Sequence, residues 1–416
     1  MVGLSIYGAG MFEGEEGQTT LVLVQFPKFR SKARPKIMYQ LSYWEAATFF
    51  EQVDCFVIGS GIVGLNTALR LKEQAPRLRV AVLERGPLPI GASTRNAGFA
   101  CFGSVSELLD DLESMEESSV WALVRMRWQG LQRLRRRLGD DTLEYRNWGG
   151  YELFRKRGAF ESCAAHIPAF NRQLQAITGL AETYTIASEK AAPFGFRGVT
   201  GLIWNRAEGQ LHTGRMMKGL AGLCRASGIP IYSGVGVTHL EDGGPGGVTL
   251  RTEQGWVLNA SMAAVATNGF ARRLLPELEV KPARNQVLIT PPIPGLRLQG
   301  CFHYDRGYYY FRNIDGRLLL GGGRQLDEAG ESTDQFGNNA LIRRSLLDLM
   351  ATLILPGQRV EVDRWWSGIL GVGARKQPII RQVSPNVVAA VRLGGMGIAI
   401  GSLVGEEAAD LLLGKG

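Results

Sequence analysis

The chain has 416 residues, of which 45% are hydrophobic, 21% charged and 54 are glycine, with a formal charge of +8. This is enough apolar material for a substantial core in two domains, and it argues against a disordered or fibrous chain. The five cysteines (Cys55, Cys101, Cys163, Cys224, Cys301) form no C-x-x-C pair and the four histidines have no ligand spacing, so neither a disulfide framework nor a metal site is expected. With no apolar run of about eighteen residues and no secretory core at the start, a cytoplasmic location is expected.

Residues 1–50 read as an atypical N-terminal extension. GAGMFEG (8–14) has the wrong glycine spacing for a phosphate loop, and FPKFRSKARPK (26–36) is basic and proline-containing. Met38 is a candidate true beginning, with the preceding residues poorly ordered.

The next segment, DCFVIGSGIVGL (54–65), is the strongest signal in the chain. An apolar strand runs into Gly59, placed for a tight turn, and Gly61, placed for close backbone approach to a pyrophosphate. Gly64 is placed for close helix–sheet packing. Ser60, Ile62 and Val63 form the turn and helix start, where free N–H groups and the helix dipole favour phosphate. The second strand, RVAVLERG (79–86), ends at Glu84 and Arg85. The Glu84 carboxylate can accept both ribose hydroxyls and would repel a 2′-phosphate, which selects FAD or NAD over NADP.

GASTRNAGFACFGS (91–104) then decides for flavin. Its small residues let the backbone lie against a large planar cofactor. Ser93, Thr94, Arg95 and Asn96 are placed to donate hydrogen bonds, and Gly98 and Phe99 pass close by. This loop, together with the strand and acid, resembles the FAD-dependent D-amino-acid oxidase superfamily, whose members carry GAS-x-R-N-x-G here. The likeness runs from about residue 52 to 414. Within it, GASTRNAG and YYYFRNIDGRLLLGGG are most similar to gamma-glutamylputrescine oxidase-like enzymes, with glycine oxidase-like enzymes close by.

The resemblance implies an α/β fold: a Rossmann-like FAD/NAD(P)-binding domain interleaved with an α+β substrate domain on a mixed antiparallel sheet. The expected division gives the cofactor domain residues 51–145, 205–270 and 361–416, and the substrate domain 146–204 and 271–360. Further along, residues 105–141 repeat at helical spacing, and VRMRWQGLQRLRRRLGDD (124–141) is rich in arginine. Either an anionic partner such as RNA or a solvated face over Leu131, Leu134 and Leu138 would account for that helix.

GGYELFR (149–155) reads as a strand entering the second domain, and 211–232 as an amphipathic helix followed by a strand. Residues 233–270 read as a hairpin and then a buried strand. In the superfamily, Val237 falls where backbone holds the adenine, and Thr267, Asn268 and Gly269 where the chain returns to the cofactor. In CFHYDRGYYYFRNIDGRLLLGGGRQLD (301–327), alternation puts Tyr308, Tyr310 and Arg312 on one strand face and Tyr309 and Phe311 on the other. Tyr310 and Arg312 are the expected catalytic, substrate-orienting residues. Near the C-terminus, Gly395, Met396, Gly397 and Ile398 form a turn that would aim a helix N-terminus at the flavin.

The resemblance implies FAD-dependent oxidation of a C–N bond, in a primary or secondary amine or an amino acid derivative, to an imine. Hydride passes to flavin N5, and oxygen or another acceptor receives the electrons. No dedicated general base is required, in keeping with the few histidines. One departure stands out. Amino-acid oxidases of the superfamily commonly carry a carboxylate-clamping arginine shortly after W-x-G, whereas Trp366-Ser367-Gly368 is followed here by Ile369 and Leu370. Arg312, Arg375 or Lys376 could substitute. The tethering cysteine of some relatives is also missing, so non-covalent FAD is expected. Partners are then a small amine or carboxylated amine and an electron acceptor. The alternatives are an RNA-modifying flavoenzyme and a flavin-binding subunit without its own turnover.

Overall fold

The computed structural model describes residues 39–415 and two short strands before them. In the first unit, Ala9–Gly10 pairs antiparallel with Val22–Leu23. The rest of the GAGMFEG and FPKFRSKARPK segments, and Met38, lie outside the described residues.

In the second unit the segment before the glycine turn is not an appendage. Ser42 and Glu45 close both ends of a capping box on the helix Tyr43–Phe49. Phe50 follows it into the core, against Tyr232 and Trp256. The expected boundary at residue 50 therefore falls inside the packed structure, because the hydrophobic residue ending this helix is buried.

A six-stranded sheet forms one layer of the second unit. Its order is Ile231–Ser233, Val80–Glu84, Cys55–Ile58, Met262–Val265, Val387–Val391 and Ile379–Ser384. The first five run parallel and the last is antiparallel. Such strands are buried on both faces, which is why CFVI, VAVLE and VVAAV contain no alternation. On one face lie Ile62–Gln74, Thr213–Ala226, Glu117–Leu138 and Gly397–Leu412, sharing a core of Val57, Leu65, Leu131, Leu134, Leu220 and Val404. On the other lies a three-stranded antiparallel layer, Val237–Asp242, Val248–Thr252 and Val257–Ala260, whose Leu250 shares a core with Phe56 and Ala81 of the sheet. The expected hairpin is present with one more strand added.

The second sheet has eight strands: Arg364–Val372, Lys281–Ile289, Arg317–Gly322, Tyr309–Ile314, Cys301–Tyr304, Gly150–Phe154, Gly201–Asn205 and Tyr184–Ile186. Only Cys301–Tyr304 and Gly150–Phe154 pair in parallel. Its back face packs Phe302, Phe311, Leu288 and Leu320 against Leu346 and Leu353, with Phe302 and Phe311 stacked at 4.9 Å. Arg364–Val372 was expected with the C-terminal cofactor segment but pairs along its whole length with Lys281–Ile289. It stands at the edge of the eight-stranded sheet, with its exposed and half-buried residues Arg364, Trp365 and Trp366 at one end. The hairpin at Asp315–Gly316 closes with both residues at positive φ, 51° and 69°, the backbone that a two-residue connection between twisted strands demands.

The arginine-rich helix is legible in its contacts. Leu131 and Leu134 face inward, while Arg133 and Arg137 pair with Glu73 and Glu406, and Arg135 with Asp140. Arg127 is buried and donates to the Phe102 carbonyl. Among the described residues, no helix is long and apolar enough to cross a membrane.

Candidate active site

Where the parallel strands end, the chain makes the turn that the glycines require. Gly59 has φ of 107°, and a Cβ there would sit 2.9 Å from the Ala266 carbonyl oxygen. A Cβ on Gly64 would lie 1.9 Å from the Gly59 carbonyl oxygen, so the helix can approach the turn only with hydrogen at that position. The first helical N–H, that of Ile62, donates to Ser93 Oγ at 2.9 Å, which joins the glycine turn to the following loop. One strand over, Glu84 is 6% exposed. Its Oε2 accepts from Ser60 N–H (3.2 Å) and Oγ (2.6 Å), and its Oε1 from Gly86 N–H (2.9 Å). A carboxylate so fixed retains lone pairs for further donors.

These groups line a cavity of about 500 Å³ that runs between the two sheets. Of the residues anticipated for the cofactor, Gly59, Ser60, Gly61, Ile62, Val63, Glu84, Arg85, Ser93, Arg95, Asn96 and Phe99 form its wall. Val237, Thr267, Asn268, Gly395, Met396, Gly397 and Ile398 do so as well. Thr267 Oγ1 is buried without a hydrogen-bond partner. An orphaned hydroxyl on this wall, beside the glycine turn, a helix start and a fixed acid, fits the polar half of a dinucleotide. Arg85 stacks on Phe270, 3.9 Å from the ring centre.

Five anticipated residues stand elsewhere. Gly64 serves the helix–strand contact just described. Thr94 turns its hydroxyl to the carbonyls of Pro89 and Gly91, and Gly269 abuts the Leu370 carbonyl. Gly98, at φ of 74°, lies against the Leu211 carbonyl. Arg312 is the largest correction. It is 2% exposed and donates from Nη1 to the carbonyl oxygens of Gly98 (3.1 Å) and Leu211 (3.0 Å), so it braces the loop from behind the cavity. Asn96 and Arg95 reach the wall but also brace: Asn96 Oδ1 accepts from Gly98 N–H and Thr213 Oγ1, and Arg95 donates to the Ser367 carbonyl. Asn268 Oδ1 accepts the N–H groups of Arg392 and Leu393.

Replacing Arg312 with leucine takes the donor from the Leu211 carbonyl, while the Gly98 carbonyl keeps the Leu211 N–H, and should cost about 1–3 kcal/mol in urea denaturation. The flavin-loaded fraction should keep its rate of reduction by an amine within about threefold. A stable variant that has lost that rate would restore Arg312 to the substrate.

The facing wall comes from the eight-stranded sheet. Tyr308 and Tyr310 face the cavity while Tyr309 turns back to Ser345, as alternation requires. Burial pushes the Tyr310 phenol well above its usual pKa, with a hydrogen bond to Asn285 opposing. The Gly321 position opposite has no Cβ, and one there would lie 2.5 Å from the Tyr310 ring. Phe99 meets Tyr310 and His303 edge to face at 5.7 and 5.2 Å. Ile369 and Leu370 line the cavity where the clamping arginine was sought. The mouth is mixed in charge: Arg306 lies 3.9 Å from Asp110, and Lys376 pairs with Asp111.

The sequence reading missed one cluster. Cys101, Glu208 and His303 bring a sulfur, a carboxylate and an imidazole within 4.8 Å of one another. They stand more than ninety residues apart, and the lone signal was a histidine in the strand CFHY.

Residues 54–411 match the DAO family, described as FAD dependent oxidoreductase. The chain belongs to this family. FAD is therefore its cofactor, and the glycine turn, Glu84 and Thr267 are the groups that fit it. Among curated DAO-like relatives, a probable oxidoreductase OrdL from Rhizobium meliloti is 30% identical over 215 residues. That match spans 50% of this chain and only 48% of the relative, about half its length. A second probable oxidoreductase OrdL, from Haemophilus influenzae, is 22% identical over 398 residues, covering 88% of this chain and 84% of its own. The crystal structure of glycine oxidase from Geobacillus kaustophilus superposes with a TM-score of 0.70 at 21% identity, over 87% of this chain and 95% of that one. At that identity the DAO fold is what the superposition establishes.

Proposed function

We propose that the protein oxidises the C–N bond of a primary or secondary amine, or of an amino acid derivative whose carboxylate lies away from the reacting carbon. The observation that carries this reading is the wall facing the dinucleotide trough. It is aromatic at Phe99, Tyr308 and Tyr310, and apolar at Ile369 and Leu370. Such a wall aligns an uncharged amine and excludes water from it. Ile369 and Leu370 put no guanidinium at the positions that follow Trp366-Ser367-Gly368, while Arg306, over the Tyr308 ring, and Arg324 and Lys376 on the same cavity wall can meet a carboxylate elsewhere in the substrate. That glycine oxidase shares the fold, and is named for an amino acid, supports oxidation at a carbon that bears nitrogen.

Bound FAD would supply the two-electron acceptor for the C–H hydride. The chain supplies position: the glycine turn and Glu84 anchor the dinucleotide, and the start of helix Gly397–Leu412 adds a positive dipole end. The hold is non-covalent. Cys101 is the cysteine on the cavity wall, and burial, then Glu208 and Glu107, push its thiol far above its usual pKa, so little nucleophilic thiolate forms. Acid precipitation should release all flavin into the supernatant; colour retained by the pellet would contradict this.

Ion pairs to Glu73 and Glu406 occupy Arg133 and Arg137, two of the arginines that suggested RNA, which weakens the motive for that reading. The test is anaerobic mixing of FAD-loaded protein with sarcosine, γ-glutamylputrescine, putrescine and D-alanine, following the oxidised-flavin band. Bleaching by amines with a remote or no carboxylate, faster than by D-alanine, is expected. D-Alanine as the fastest reductant, or no bleaching by any of them, would refute it.

A further inference from the structure

Resting on the amine reading above, we propose that His303, held by Glu208, is the base that takes the proton from the substrate's ammonium group and delivers the amine as its free base. His303 stands in the strand Cys301–Tyr304 directly opposite Tyr310 on one side and Glu152 on the other. A row of three titratable groups thus crosses three strands on the face that looks into the cavity. Both His303 and Tyr310 line it, beside Cys101, Glu107 and Asp110.

The histidine is 6% exposed; its buried Nε2 makes no hydrogen bond and lies 3.5 Å from Glu208 Oε2, within ion-pair reach. Glu208 cannot turn away. Its Oε1 accepts the N–H groups of Phe102 (3.1 Å) and Gly103 (3.3 Å), and the carboxylate packs against Gly150, where a Cβ would be 1.9 Å from Oε2. A buried carboxylate fixed at one oxygen and aimed at an imidazole is the arrangement that orients a histidine base and stabilises its protonated form.

The surrounding charges favour that task. Glu208, Glu107 from the helix Val105–Ser114 and Glu152 from the adjacent strand raise the His303 pKa above its usual value, against burial, which lowers it. Ser106 hydrogen-bonds Glu152, whose carboxyl burial pushes up to about 7. Arg127, bound to the Phe102 carbonyl, is the cation from the helix packed behind, and the Cys101 thiol stays neutral. In the step itself an N–H bond of the ammonium breaks, its electron pair stays on the amine nitrogen, and an N–H bond forms on the imidazole. The imidazolium rests against Glu208 and returns the proton to solvent at the cavity mouth. The base form exists above the His303 pKa, so the rate climbs as pH rises through it.

The experiment measures anaerobic flavin reduction by sarcosine and by γ-glutamylputrescine from about pH 6 to about pH 10. It compares the FAD-loaded wild type with His303→Gln and Glu208→Gln, and adds an NMR titration of the four histidines. The wild type should show an acidic limb at the pH where the buried histidine titrates. Glu208→Gln should move both to lower pH. His303→Gln should slow reduction about 100-fold near neutrality and approach the wild-type rate toward the top of the range, where a growing share of the amine is neutral. A His303→Gln protein with an unchanged limb, or a wild-type limb that does not follow the histidine titration, overturns the proposal. If His303→Gln does not fold, the titration and the Glu208→Gln shift decide alone. Wild type reduced by neither probe at any pH defeats the amine reading and this proposal with it.

Discussion

Gly64→Val should yield a protein that is purified without flavin and is destabilised by on the order of 3 kcal/mol. The cause is local. The valine Cβ would fall inside the van der Waals radius of the Gly59 carbonyl oxygen, 1.9 Å away, with the Val57 side chain at 3.3 Å. Neither the turn nor the strand can retreat, because Gly59 N–H is bonded to the Leu83 carbonyl and Val57 is central in the parallel sheet. The helix must then move outward, taking its N-terminal N–H groups from the phosphate position. Chemical denaturation and the flavin absorbance of the purified protein check this. A yellow protein of wild-type stability would show that the helix does not sit on the turn as described.

Glu84→Leu should keep the fold and lose affinity for FAD by about 100-fold, the worth of two charge-assisted hydrogen bonds. Glu84 holds Ser60 N–H, Ser60 Oγ and Gly86 N–H at 2.6–3.2 Å, and faces the cavity where ribose hydroxyls would meet it. Glu84→Gln, which keeps an acceptor but not the charge, should fall between the two. Fluorescence titration of apoprotein with FAD measures both. An affinity for FAD within about threefold of wild type in the leucine variant would remove Glu84 from the adenosine site.

The cofactor half was legible because its chemistry is local. A tight turn, a helix start and an acid-ended strand all lie within residues 54–84, and the physics that selects glycine at positions 59 and 64 acts between near neighbours. The alternation of YYYFRNI placed Tyr310 toward the cavity and Tyr309 and Phe311 away from it for the same reason. Arg312 was misjudged because strand alternation gives a face and not a depth: it shares the face of Tyr310 but lies two residues farther along, under the loop at Gly98. Arg133 and Arg137 read as part of a free basic face because their partners, Glu73 and Glu406, are brought in by other helices. His303, Glu208 and Cys101 meet only through the pairing of strands from different parts of the chain, and spacing along the sequence carries no trace of that.

The most direct test of the whole account is a paired titration of apoprotein with FAD and with FMN. If Glu84, the Gly59 turn and Thr267 grip the adenosine and pyrophosphate, FAD should bind at one per chain and FMN, which lacks the adenosine half, should bind at least about 100-fold more weakly. FMN binding as tightly as FAD, or a chain that takes up neither, would contradict it.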